Sequence, residues 1–180
     1  EKYEAFLKSE RRKDENKKKA KKKRAIRAAF INKGWGDLDS TLKDALKIEL
    51  PDYQWKKQKL VPPGEYGQKL DIGADSPFKD CCIGIELEKD RPTAVRNCNK
   101  VWFAASKYSK AFVLIHIFSP IFTSTIGLRR RAEEAQFIGG KAVQDLGELL
   151  NYVPIQLTEW PTNDPECIPN LIKQIEAALL

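Results

Sequence analysis

The sequence predicts an α/β fold, with a mixed central sheet flanked by helices and a basic helical arm at the N-terminus. Three observations carry that expectation. Residues 69–75 and 82–88 alternate apolar and polar side chains with period two around a turn-like Ser76-Pro77-Phe78-Lys79-Asp80, the mark of an antiparallel hairpin. Residues 111–118 are nearly continuous in apolar side chains, as in a strand covered on both faces. Between them, residues 92–106 place apolar side chains at helical spacing, and strand, helix and strand give a right-handed crossover when the two strands run parallel.

Taken in order, residues 1–31 have helix-forming composition but almost no apolar stripe between Lys8 and Arg24. They read as a solvated basic helical arm, or a linker from a larger protein, and alternatively as an arm lying along phosphates. After Gly34-Trp35-Gly36, Asp37 or Asp39 caps a helix with Leu38, Leu42, Ala45 and Leu46 on its apolar face, ending near Leu50 before Pro51. Tyr53 to Val61 suggests a strand and Pro62-Pro63-Gly64 a turn. Pro92 suits a first helical position, and the helix it opens buries Val95, Cys98, Trp102 and Ala105, leaving Thr93, Arg96, Asn97 and Lys100 as its outer stripe. A helix over Arg129 to Leu150 containing Gly139-Gly140, a strand over Val153 to Trp160 and a helix over Ile168 to Leu180 complete the order. The four tryptophans are dispersed and read as core or anchoring residues.

Charge is unevenly distributed. The chain of 180 residues has a net charge of +7, but residues 1–30 hold 13 of the 32 Lys and Arg against 5 of the 25 Asp and Glu. The body beyond them is close to neutral, so any basic patch there arises by arrangement rather than by excess. Cys81, Cys82, Cys98 and Cys167 have no CxxC spacing, and His116 is the one histidine, which argues against a zinc site and for reduced thiols in a cytoplasmic protein. His116, set in an apolar strand, reads as a satisfied core residue. No apolar run reaches the ~18 residues of a membrane span, so no membrane partner is expected.

The hairpin carries the chemistry. With a four-residue loop, Asp71 falls opposite Glu86, Gly73 opposite Gly84 and Lys69 opposite Glu88, while Leu70, Ile72, Ile83, Ile85 and Leu87 share the other face. Like charges facing one another need a proton, a cation or a basic side chain to compensate. Asp71 and Glu86 suit the inner shell of Mg²⁺, with Glu88 a further ligand or a group that positions the attacking water. Gly73 and Gly84 are expected to keep that face low, open to a bulky backbone such as DNA. The competing reading is a hydrated sheet face on which Lys69 and Glu88 simply pair.

Asp71, Glu86-Leu87-Glu88 and the order of elements together resemble the PD-(D/E)xK nuclease superfamily, whose restriction-endonuclease-like core places an acid on one strand and (D/E)xK on the next. The resemblance spans roughly residues 37–160. Leu70 stands in place of the motif's proline and Glu88 in place of its lysine, similar to the ExE variant of some members. Other members recruit the lysine from elsewhere, for which Lys69 and Lys100 are the candidates; the Lys89 side chain points to the opposite face.

The resemblance implies a nuclease domain over residues 32–180 that hydrolyses DNA phosphodiester bonds with Mg²⁺, for which Mn²⁺ can substitute. Restriction or defence is one setting for such an enzyme. Asp71, Glu86 and Glu88 would hold the metal, Lys69 or Lys100 would join them in catalysis, and Arg96, Asn97 and Lys100 would contact nucleic acid. RNA as substrate, a homodimer and membership of a larger polypeptide stay open. The alternative is an inactive nuclease-fold module that binds nucleic acid or protein, which Glu88 in the lysine's place favours.

Overall fold

The computed structural model describes residues 15–18, 37–61, 68–89, 93–124 and 126–180. The chain divides into two units, Glu1–Gly36 and Asp37–Leu180. In the first, residues 15–18 are helical and exposed, and the rest of the expected arm lies outside the described residues. Also outside them are the expected Pro62-Pro63-Gly64 turn, the helix start at Pro92, and Trp35.

The second unit is an α/β fold with five strands in one mixed sheet, ordered as in the chain. Its elements are α1 (Leu38–Glu49), β1 (Lys56–Leu60), β2 (Lys69–Asp75), β3 (Cys81–Glu88), α2 (Ala94–Tyr108), β4 (Ala111–Phe118), the short α3 (Ile121–Ser124), α4 (Ile126–Leu146), β5 (Leu150–Gln156) and α5 (Cys167–Leu179). Strands β1, β2 and β3 pair antiparallel, and β3, β4 and β5 pair parallel. Parallel strands need a crossover connection, and α2 and α4 supply the two.

Each helix covers the sheet face its apolar stripe dictates. Cys82, Phe112, Leu114 and Phe118 share a core with Ala94, Cys98, Val101 and Ala105 of α2 and Leu128, Ala132, Ala135 and Ala142 of α4. The intervening Ile83, Ile85, Val113, Ile115 and Ile117 are buried on the opposite face. There α1 packs against α5, β1 and β2, and α5 against β4, through Leu38, Leu42 and Leu46 of α1 and Leu171, Ile172 and Ile175 of α5. All eight residues of β3 are buried, because it is central and covered on both sides.

Two expectations about boundaries and one about burial are corrected. Helix α4 stops at Leu146 rather than Leu150, where Gly147 takes a left-handed φ of +57°. Strand β5 runs over Leu150–Gln156 rather than Val153 to Trp160 and accommodates Pro154, since it is an edge strand. On α2 the buried stripe is Ala94, Asn97, Cys98, Val101, Ala104 and Ala105, with Val95 and Trp102 only partly buried. Trp55 and Trp160 are buried as expected. Among the described residues no helix is long and apolar enough to cross a membrane.

Candidate active site

The site lies where β2 and β3 part. The hairpin register has Gly73 opposite Gly84 and Ile72 opposite Ile85, as the turn length predicts, but the paired residues end there, one step short of Asp71 and Glu86. The cause is a kink shared with β1. Lys57 pairs with Ile72 and Lys59 with Leu70, whereas Gln58 between them stands at φ +51°, a left-handed conformation that costs a non-glycine residue energy.

Side chains on either side of the kink go to opposite faces. Lys57 reaches Asp39 of α1 at 2.7 Å, while Lys59 turns to Asp75 at 2.6 Å. Ile72 and Leu70 are both fully buried, but only Leu70 joins the core beneath α2 and α4. The expectation that Leu70 shares a face with Ile72 is therefore wrong. So is the expectation that two glycines leave the acidic face low: a Cβ on Gly84 would meet Leu70 Cδ2 at 2.7 Å, and one on Gly73 would meet Lys59 Cδ at 2.9 Å. Glycine at these positions makes room for neighbouring side chains.

Released from the ladder, the Asp71 carboxylate accepts a hydrogen bond from the Leu87 backbone N–H at 2.9 Å. Burial nevertheless pushes its acid up from the usual carboxylate range, with the Leu87 bond and Lys100 pulling the other way. Glu86 is 2 % exposed and its acid is pushed up to about 8, first by burial, then by Asp71 and Glu88, with Lys100 opposing. Lys100 of α2 forms an ion pair with Glu86 Oε1. That oxygen has no partner in hydrogen-bonding geometry among the described residues. The Lys100 ammonium also donates to the Lys69 carbonyl at 2.6 Å, tying α2 to the start of β2.

Glu88 is as buried as Glu86, at 2 % exposure, but both of its oxygens accept hydrogen bonds. Asn97 Nδ2 donates to Oε1 at 2.5 Å, His116 Nε2 lies 2.9 Å from the same oxygen, and Thr93 Oγ1 donates to Oε2 at 2.7 Å. Burial raises its acid, yet the bonds from His116, Thr93 and Asn97 outweigh burial and hold it below the usual carboxylate range. Glu88 therefore stays ionised. His116, with 0 % exposure, lies with Nδ1 3.1 Å from the Tyr152 hydroxyl and is a satisfied core residue as expected. Cys98 lies 3.7 Å from the same Nδ1, and its thiol, pushed up to about 12 by burial, donates to the Ala135 carbonyl.

The expected site residues thus separate. Asp71, Glu86 and Lys100 come together, with Glu88 beside them but turned to α2 and β4. Lys69 does not pair with Glu88; its side chain is exposed and lines, with Gln68, Arg96, Asn97 and Lys100, a cleft of about 300 Å³. Arg96 is exposed at that cleft, whereas Asn97, expected on the outer stripe, is 9 % exposed and engaged by Glu88. Arg129, Arg130 and Arg131 are all exposed on α4.

Sequence reasoning missed Thr93 and Tyr152 as members of this network. The trace of Tyr152 is Gly139: a Cβ there would fall 2.4 Å from the Tyr152 ring, so the helix gives up a side chain where the tyrosine passes. The four cysteines are free and buried.

Among the described residues no group of three His, Cys, Asp or Glu side chains is arranged to hold a metal ion. A hard divalent cation suits two neighbouring carboxylates, Asp71 and Glu86, because burial disfavours the charge of both and positive charge relieves it, the charge that Lys100 supplies to Glu86 here. No family model matches the chain, and neither a curated protein nor a solved structure matches it.

Proposed function

We propose that the chain is a metal-dependent deoxyribonuclease with Asp71, Glu86 and Lys100 at its active site. The observation that carries the reading is the meeting of a buried acid, Glu86, and a partly buried one, Asp71, with a helix-borne lysine beside a cleft that presents Lys69 and Arg96. The succession α1, β1, β2, β3, α2, β4 on a mixed sheet supports it, being the order the PD-(D/E)xK resemblance implies.

Each part of the chain has a task in this reading. Asp71 and Glu86 would hold Mg²⁺, which lowers the pKa of a water and neutralises charge on the phosphodiester. The kink at Gln58 and Asp71 opens β2 from β3, so the Asp71 carboxylate is held by the Leu87 N–H rather than buried in the ladder. Lys100, held at Glu86 and at the Lys69 carbonyl, places an ammonium at the same acids, where it can stabilise the charge that develops on the phosphorus oxygens. Lys69 and Arg96 line the cleft as contacts for flanking phosphates, which position the backbone without reading sequence.

A second reading, a nuclease-fold module without catalysis, is favoured by one observation: Glu88, in the motif lysine's place, is bound up within the fold. Cleavage of supercoiled and linear DNA with Mg²⁺ or Mn²⁺ separates the two. The nuclease reading expects metal-dependent cutting by the native chain that Asp71→Ala and Glu86→Ala each abolish. Absence of cutting by the native chain with either metal supports the module instead.

A further inference from the structure

We infer that Glu88 is a positioning residue that sets helix α2 so that Lys100 meets Glu86. The inference rests on the nuclease reading for its functional meaning, but the arrangement it concerns stands by itself. Thr93 is the residue before α2 and Asn97 lies in its first turn, and both donate to Glu88. Lys100 follows Asn97 by three residues, on an adjoining part of the same helix surface. Glu88 thus grips α2 through two donors about one turn apart, and the lysine that reaches Glu86 rides on the same rigid element.

The grip is itself braced from behind. His116 on β4 meets Glu88 Oε1, Tyr152 on β5 meets the His116 ring, and Gly139 on α4 clears the space the tyrosine needs. Three strands and two helices therefore converge on one carboxylate. A solvated metal ligand has no need of this, since a ligand keeps a lone pair directed at the ion. Glu88 Oε1 already takes Asn97 and His116, and Oε2 takes Thr93, so most of its accepting capacity is used inside the protein.

This also explains how a glutamate sits where the resemblance leads one to expect lysine. A lysine at position 88 would bring its own ammonium on the strand; a glutamate there recruits the N-terminal end of α2, and the helix delivers the ammonium of Lys100 instead. Thr93, Asn97 and Glu88 act through Lys100, with the Asn97 amide turned to Glu88 from the wall of the cleft.

The test uses the full chain and reads Lys100 directly. Acylation by an amine-reactive ester, followed residue by residue by mass spectrometry, should find Lys100 slow in the native chain and at least fivefold faster in Thr93→Val and in Asn97→Ala. Glu88→Ala should release Lys100 fully, and Glu88→Gln, whose amide can still accept from Asn97 and His116 and donate to the Thr93 oxygen, should restore most of the protection. Unfolding curves guard against a variant that has lost its fold, and Thr93→Val, the mildest change, serves where Glu88→Ala fails to fold.

Mn²⁺ affinity by calorimetry supplies the readout a ligand role would move. Glu88→Gln should bind Mn²⁺ within about twofold of the native chain, and Thr93→Val should lower kcat for DNA cleavage with little change in KM. A loss of Mn²⁺ affinity beyond tenfold in Glu88→Gln with Lys100 still protected would overturn the inference, as would unchanged Lys100 acylation in Asn97→Ala. If the native chain cuts no DNA, the nuclease reading fails while the acylation arm still decides whether Glu88 holds Lys100.

Discussion

Glu86 and Glu88 lie two residues apart on β3, point to the same face and are equally buried, yet they are opposite kinds of acid. Glu86 has one ammonium for company and an acid pushed up to about 8. Glu88 has three hydrogen-bonding partners and an acid held below the usual range. Burial acts on both in the same direction, so the difference comes from the donors that surround each carboxylate. A strand that ends under a helix can therefore carry an acid whose charge burial disfavours next to one whose charge the scaffold stabilises.

Stability separates the pair most sharply. Glu88→Ala strands His116, Asn97 and Thr93 in the interior and should cost about 3–5 kcal/mol in urea unfolding. Glu86→Gln removes an acid whose charged form is disfavoured, so at pH 8 it should stay within about 1 kcal/mol of the native chain or exceed it. If Glu86→Gln proved the more damaging of the two, the contrast would collapse.

Activity separates the two lysines. Lys100→Met should lower DNA cleavage by about 10²–10³-fold, the usual effect of losing one positioned cation at developing charge. Lys69→Met, which removes an exposed phosphate contact, should raise KM severalfold and reduce the salt dependence of binding, with kcat little changed. Equal kcat losses in both would place Lys69 at the reacting centre as well.

The pH dependence of stability sharpens the comparison with no change to the site's partners. The folded-state acid of Glu86 is raised to about 8 from the 4.5 of an ordinary glutamate, so its stabilising effect is fully present below the lower value and is lost as pH rises through the upper one. Stability should therefore fall between pH 5 and pH 8 by up to about 1.4 kcal/mol per pH unit, and Glu86→Gln should flatten that slope. Glu88 runs the other way: with its folded-state acid lowered, its stabilisation is present above an ordinary glutamate's 4.5 and is lost only as pH falls through the lowered value. An unchanged slope in Glu86→Gln would contradict the assignment.

The effects farthest from the acids come from two adjacent glycines on α4. Gly139→Ala drives a Cβ into the Tyr152 ring behind His116 and should destabilise by about 1–3 kcal/mol, whereas Gly140→Ala, with open space around its Cβ, should stabilise by roughly 0.5–1 kcal/mol. Thermal unfolding of the two single variants checks the sign of each.

Much of this architecture is legible in the residues. Period-two alternation and the turn after Ser76 are enough to align Gly73 with Gly84, and apolar continuity over residues 111–118 marks a covered strand. Asp71, Glu86 and Glu88 stand out because facing acids demand a cation, whereas Lys69 and Lys100 are offered alike by the resemblance and only the fold separates them. What the sequence does not disclose is how the acidic strand is covered. An alternating hairpin suggests one wet face, but β3 is central, and α2 turns Asn97 inward because Glu88 is there to receive it. Polarity alone places Asn97 outside and Trp102 inside, and only the partner across the fold reverses the order. The kink at Gln58 is equally silent, since no glycine marks its left-handed backbone.

The most direct test of the acid pair is calorimetric titration of Mn²⁺ into the native chain, Asp71→Asn and Glu86→Gln at pH 8. One site in the native chain, weakened more than tenfold by either substitution, is the expected result. No saturable site in the native chain, or a site that survives both substitutions, would contradict the assignment of Asp71 and Glu86 as the metal-binding pair.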